Sequence, residues 1–256
     1  MNYTTIPVLD FDGVICDSAV ETGISGWKAA RQIWPKMADV TPDSNFLDQF
    51  RAVRPMLETG YEAILIVRLL YLGESAETLL KAYHAKTQAL LAAEKLEIKF
   101  LKQLFGATRD QWIANDMDDW IQMNPLFNGV ADKLQRLNQA SVWYIVTTKQ
   151  ERFVKQILTC HQIHLADERL LGLERNLSKE GMLMHIMARH PDASLILVED
   201  RLPTLQDVAR NTNLHNVKLL LASWGYNTEQ EKQSLVSEPI ELLTLENFLE
   251  FPAQSS

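Results

Sequence analysis

The sequence predicts an α/β protein: a Rossmann-like parallel sheet with crossover helices and an inserted all-helical domain. Three observations point there. Short apolar runs occur at residues 6–10, 141–147, 170–173, 194–199 and 217–221, with helical patterns between the later ones. Between residues 18 and 124 no strand signal appears, and one helical pattern follows another. The chain has 256 residues, 46% of them hydrophobic and 23% charged, which suffices for a substantial core in one large domain or two modest ones.

The first strand, residues 6–10, runs straight into Asp10-Phe11-Asp12-Gly13. Two carboxylates one residue apart therefore stand at the carboxyl end of a strand, where open α/β sheets place their sites. Acids this close repel unless a positive charge lies beside them, so a bound cation is the economical reading. The helical stretch follows. Residues 25–34 are amphipathic and stop before Pro35, and residues 46–59 read as a helix with Pro55 as a break. Residues 61–72 are apolar nearly all round, which predicts a buried helix ended by Gly73. Residues 75–105 are rich in strong helix formers, and Thr108 with Gln111 makes a capping-box pattern that predicts a new helix. The expected organisation is a core of residues 1–18 and 125–256 interrupted by a helical domain of residues 19–124.

The later strands end on chemistry-bearing side chains. The second ends in Thr147-Thr148-Lys149. Ser178 is a plausible N-cap that puts Lys179 in a first helical turn, where the helix dipole disfavours a cation unless something anionic compensates. Four apolar residues then lead into the adjacent acids Glu199 and Asp200. Trp224-Gly225-Tyr226-Asn227, after the fifth strand, reads as structural.

The run from Ile6 to Ser18 resembles the first motif of the haloacid dehalogenase-like hydrolases, and three further stretches resemble the other motifs in the family's order. The resemblance implies that Asp10 is a nucleophile and Asp12 a general acid and base. It implies that the Thr147 hydroxyl holds a phosphate oxygen and that Lys179, favoured over Lys149, pairs with nucleophile and phosphate. The stretch from Leu195 to Arg201 resembles the motif that completes a magnesium site. A common form of it has a second acid four or five residues later, where this chain has Thr204 and Leu205; the paired-acid variant, Glu199 with Asp200, fits better than Asp207. The implied Mg2+ donors are Asp10, Asp12 through its backbone carbonyl, Asp200 and Glu199. The helical insertion stands where many members carry an all-helical cap that closes over the site and selects the substrate, so Trp27, Arg51 and Arg54 join Thr148 and Lys149 as candidate substrate contacts. The implied function is a Mg2+-dependent phosphatase that hydrolyses a small phosphorylated metabolite through an aspartyl-phosphate. The acid at position 12 sets the chain apart from the dehalogenase and phosphonatase branches. A sugar phosphomutase, or a catalytically silent relative that binds a ligand or protein, remain the alternatives.

Composition narrows the partners. The formal net charge of −8 argues against nucleic acid and means that an anionic substrate needs a locally positive site. No apolar run reaches the length of a membrane span, and no basic-then-apolar leader opens the sequence. Cys16 and Cys160 are isolated thiols, which fits a reducing cytoplasm. Oligomeric state is left open.

Overall fold

The computed structural model describes residues 4–250. In chain order the elements are β1 (Thr4–Leu9), then α1 (Ala19–Ile33), α2 (Ser44–Val53), α3 (Glu62–Tyr71), α4 (Ala76–Glu94), α5 (Ile98–Asn115) and α6 (Met117–Gln122). They continue with α7 (Val130–Ala140), β2 (Tyr144–Val146), α8 (Glu151–Cys160), β3 (Leu170–Leu171), α9 (Lys179–Arg189) and β4 (Ala193–Glu199). The chain closes with α10 (Leu202–Arg210), β5 (Lys218–Ala222), α11 (Glu229–Ser234), β6 (Ile240–Leu243) and α12 (Leu245–Glu250). The chain divides into two compact units: residues up to Asp17 together with those from Leu126 on, and Ser18–Pro125. Among the described residues, no helix is long and apolar enough to cross a membrane.

The first unit is built on a six-stranded sheet in the order β3-β2-β1-β4-β5-β6, with every pairing parallel. Its strands read as continuous apolar runs because both faces are covered; Val8, Leu9, Val146, Leu197 and Leu221 are all buried. After β3 the chain returns to the opposite side of β1 to form β4. The switch point of the doubly wound sheet therefore lies between β1 and β4, and the strands' carboxyl ends at such a point are where open α/β sheets place their sites. Register brings the chemistry to that point: Leu9 pairs with Val198 on one side and Ile145 on the other. Asp10 and Glu199, next after Leu9 and Val198, and Thr147, two residues after Ile145, thus emerge together at the carboxyl end of the sheet. The sixth strand was not expected from sequence. It is short, lies at the sheet edge and leaves Leu242 exposed, so it lacks the buried apolar run that marks the others.

The second unit is all-helical around its own core, which includes Trp27, Phe50, Val53, Ile64, Leu79, Leu101 and Phe105. Helix α3 is buried from Ala63 to Val67 and again at Leu69 and Leu70, as its all-round apolarity predicts. Each such Leu or Ile contributes on the order of 1.5–3 kcal/mol when removed from water. Helix α1 presses against α3 at Gly26, where an added Cβ would lie 2.8 Å from the Ala63 carbonyl carbon. A charged network crosses this interior. Glu21, fully buried, accepts from Ser25 Oγ (2.6 Å), Arg109 Nε (2.7 Å), Arg109 Nη2 (2.6 Å) and Trp120 Nε1 (3.0 Å), tying α1 to α5 and α6.

Two helix expectations need correction. The stretch 75–105 is two helices. Lys95 adopts a left-handed conformation (φ 53°) and Leu96 N–H bonds back to the Leu91 carbonyl, which ends α4 without any glycine or proline. Thr108 opens no helix, because α5 runs through it. Its hydroxyl instead accepts from Gln32 Nε2 at 2.9 Å, and the next helix is capped by Asp116, whose side chain accepts from Asp119 N.

Candidate active site

Strand β1 delivers Asp10, 6% exposed, with its backbone N–H bonded to the Val198 carbonyl at 2.9 Å. The chain then makes one tight turn. Ile15 and Cys16 N–H groups both donate to the Phe11 carbonyl, and Gly13 N–H donates to the Cys16 carbonyl, each at 2.9 Å. Gly13 sits at φ +86°, a conformation that suits glycine alone, and a Cβ there would lie 2.0 Å from Asp200 Oδ2. From the other side a Cβ on Gly225 would lie 2.3 Å from the Asp200 Cβ. Asp200 is thus seated between two glycines that give it room. Tyr226 N–H holds its Oδ2 at 2.7 Å, and Asn227 Nδ2 bonds its carbonyl at 2.9 Å and that of Ala222 at 2.8 Å. The same segment reaches the first loop, since Trp224 Nε1 donates to the Val14 carbonyl (3.1 Å) and Tyr226 OH to Asp17 Oδ1 (2.9 Å). The seat depends on approach in space, so only the Gly in each motif hinted at it in sequence.

The two lysines take separate carboxylates. Ser178 caps α9, its hydroxyl accepting from Gly181 N–H at 3.2 Å, and Lys179 at the first helical position sends its ammonium to Asp10 Oδ1 at 2.5 Å and also to Glu199 Oε2. The anionic compensation expected for a cation at a helix start is therefore present. Glu199 is held on its other oxygen, Oε1 accepting from Asp200 and Arg201 N–H groups at 3.0 Å each. Lys149 bonds Asp12 Oδ1 at 3.0 Å, and its backbone N–H donates to Thr147 Oγ1 at 3.1 Å. Thr147 and Lys149 are buried, whereas Thr148 is exposed.

Burial pushes the Asp10 carboxyl up to about 7; the Lys179 charge opposes this, while Glu199 and Asp12 add to it. Burial also pushes Glu199 up, but the Lys179 ammonium and the hydrogen bonds from Lys179 and the Asp200 and Arg201 segment outweigh it and hold its pKa below the ordinary range. Burial disfavours the Lys179 charge, yet Asp10 and Glu199 together hold its pKa above that of an ordinary lysine. Oxygens of Asp10, Glu199 and Asp200 lie within 4.8 Å of one another. Such a buried set of hard oxygen donors has the chemistry of a Mg2+ site.

The structure therefore gathers Asp10, Asp12, Thr147, Lys149, Lys179, Glu199 and Asp200 on one end of the sheet unit. The remaining candidates belong to the helical unit. Trp27, expected as a substrate contact, is 3% exposed and packs edge-on against Phe46 and Tyr71, so there it is a core residue. Arg51 is exposed near the end of α2, and Arg54 is half-buried where Pro55 breaks the helix, as the sequence suggests.

Fold and site together define a doubly wound α/β protein with a cluster of acids and lysines at its switch point. No family model and no curated protein matches the chain. Solved structures do match. One is a protein provisionally named phosphoglycolate phosphatase from Lactobacillus delbrueckii subsp. bulgaricus, with TM-score 0.65, 15% identity and 98% of each chain covered. Another is a haloacid dehalogenase-like family protein from Streptococcus pneumoniae, with TM-score 0.57, 17% identity, and 94% of this chain and 95% of that one covered. A third is a HAD family hydrolase from Deinococcus radiodurans R1, solved with bound phosphate and sodium, with TM-score 0.52, 11% identity, and 95% and 92% covered. The particular fold is that of the haloacid dehalogenase-like hydrolases.

Proposed function

We propose that this protein is a Mg2+-dependent phosphatase that hydrolyses a small phosphorylated metabolite through an aspartyl-phosphate on Asp10. The observation that carries the reading is Asp10 itself. It is a buried carboxylate at the end of β1, bonded to Lys179 and within reach of Asp200 and Glu199. The donor set fits the cation. Asp10, Asp12, Glu199 and Asp200 carry four formal negative charges against the two positive charges of Lys149 and Lys179. Asp10 and Asp200, with the backbone carbonyl of Asp12, would hold the ion. When bound, it would neutralise the nucleophile and the phosphoryl oxygens.

The chain's own groups account for the bond changes. An Asp10 oxygen attacks phosphorus as the bond to the leaving oxygen breaks, and Asp12 gives that oxygen a proton. Asp12 then takes a proton from the water that attacks the phosphorus of the aspartyl-phosphate, releasing phosphate and restoring the Asp10 carboxylate. Lys149 keeps the Asp12 carboxyl in place for both transfers, while Lys179 and the Thr147 hydroxyl face the charge that builds on the phosphoryl oxygens. The inserted helical unit, the cap of this reading, is left to choose the substrate, with Arg51 and Arg54 as its candidate grips on a second anionic group. The bound phosphate of the Deinococcus neighbour agrees with a phosphate site on this fold.

The test is phosphate release from acetyl phosphate, p-nitrophenyl phosphate and a panel of phosphorylated metabolites. Release is expected with Mg2+, is abolished by EDTA, and falls at least 1,000-fold in Asp10→Asn, a change that spares the fold. Substantial turnover in Asp10→Asn would overturn the role of Asp10. A product in which the phosphoryl group has moved to another hydroxyl would make the protein a mutase.

A further inference from the structure

Lys179 has two carboxylate partners, and the chemistry above uses only one of them. The other, Glu199, is 2% exposed and has both oxygens engaged: Oε1 accepts the Asp200 and Arg201 N–H groups, and Oε2 takes the ammonium. Its position is therefore set by the backbone of the turn after β4, independently of Asp10. Asp10 cannot play the same part, because its charge is consumed when it bonds to phosphorus. At that moment a lysine paired with Asp10 alone would lose the fixed carboxylate that positions it and be held only by phosphoryl oxygens that arrive and leave within the cycle. Lys179, whose side chain is 9% exposed, keeps a fixed partner throughout because a second carboxylate stays with it.

We propose that Glu199 is a positioning residue, the standing counter-ion of Lys179, and that it does not ligate the cation. This deepens the phosphatase reading and rests on it. Glu199 fixes the ammonium beside Asp10 through the whole cycle, so that Lys179 can shift its attention to the phosphoryl oxygens without moving. The two adjacent acids at the end of β4 then divide the work: Asp200, seated between Gly13 and Gly225, faces the cation, and Glu199 faces the lysine.

The experiment compares the wild type with Glu199→Asp, Glu199→Gln, Lys179→Met and the Glu199→Gln/Lys179→Met double variant, each checked for fold by near-UV circular dichroism. The first readout is the affinity of the metal-free protein for Mn2+, followed by the electron paramagnetic resonance of the free ion. Glu199→Asp keeps the charge but withdraws the carboxylate by one methylene. Its Kd for Mn2+ is expected to stay within threefold of wild type, and any greater weakening makes Glu199 a ligand and overturns the proposal. The second readout is turnover of acetyl phosphate. Glu199→Gln should lower kcat about 10–100-fold with KM within threefold, and should change the Lys179→Met protein by less than threefold. Effects that multiply in the double variant would show that Glu199 acts other than through Lys179. If Glu199→Gln does not fold, Glu199→Asp carries the kcat arm with the same direction. The Mn2+ arm needs no turnover, so a wild type that binds Mn2+ and releases no phosphate refutes the phosphatase reading while the assignment of Glu199 is still decided.

Discussion

Replacing Gly13 by alanine tests the geometry on which the site depends. Two costs can be read from the structure. The backbone stands at φ +86°, where an L-residue is strained by about 1–2 kcal/mol. The new Cβ would also lie 2.0 Å from Asp200 Oδ2, and Cβ contacts below 3.0 Å do not occur, so the carboxylate must retreat by about 1 Å. That retreat breaks its 2.7 Å bond from Tyr226 N–H, a hydrogen bond to a charged group worth about 1.5–3 kcal/mol. The sum is about 2.5–5 kcal/mol of stability, together with a displaced candidate metal carboxylate. Gly73→Ala supplies the comparison. Gly73 has φ +92° but nothing within 4 Å of its would-be Cβ, so it should carry the backbone cost alone. Urea unfolding and Mn2+ titration of both variants separate the terms. Gly13→Ala should lose about 10–100-fold in Mn2+ affinity, the range seen when the support of a metal ligand is disturbed, and Gly73→Ala should lose none. If Gly13→Ala binds Mn2+ like the wild type and costs no more stability than Gly73→Ala, the seat of Asp200 is not what holds the site.

Two further predictions concern stability. Arg109→Met leaves the fully buried Glu21 without its bidentate cation and should cost about 3–5 kcal/mol in urea unfolding, whereas Arg109→Met combined with Glu21→Met should recover much of that loss; a single variant within 1 kcal/mol of wild type would deny the network its weight. Lys133, a buried residue of α7 near the Phe248 ring, has its pKa lowered by burial, and secondarily by Arg136, to about 8. Between pH 8 and 10.5 the unfolded chain holds this proton and the folded one does not, so the wild type should gain stability as pH rises through that window. Lys133→Met should be the more stable protein at pH 7 and should lose that rise; equal pH profiles for the two would refute the assignment.

What the sequence revealed and what it hid divide along physical lines. The carboxyl ends of β1, β2 and β4 were legible because an apolar run that stops on Asp10, Thr147 or Glu199-Asp200 announces both a buried strand and a polar group delivered at its tip. The cap of α9 was legible because Ser178 is a local signal, and Pro55 marked the end of α2 for the same reason. The end of α4 was not, since Lys95 takes a left-handed conformation that its side chain gives no sign of. Thr108 misled because a hydroxyl three residues before Gln111 looks the same whether it caps a helix or receives a bond from another one. Strand β6 was missed because an edge strand has little buried surface to imprint on its pattern. Lys149 and Lys179 could be ranked from sequence, but only their different partners, Asp12 and Asp10, separate them.

A chain of net charge −8 that acts on phosphate, as proposed, must concentrate positive charge where it is needed. It does not surround the site with lysines. It buries two, and gives each a carboxylate that on the proposed mechanism belongs to a different step: Lys149 faces Asp12, the proposed proton carrier, and Lys179 faces Asp10, the proposed nucleophile. Each buried ammonium faces a carboxylate, which offsets part of the cost of taking it out of water. Glu199 and Asp200 leave the site with an excess of negative charge, and the Asp10 carboxyl, which burial pushes up to about 7 against the Lys179 charge, is raised further by Glu199 and Asp12. An ionised Asp10 and a phosphate bound beside it would make the same electrostatic demand, for a cation that Asp10 and Asp200 could hold. On the proposed mechanism one ion would answer both, and its affinity and that of the phosphate would then be coupled, each strengthening the other by the same factor.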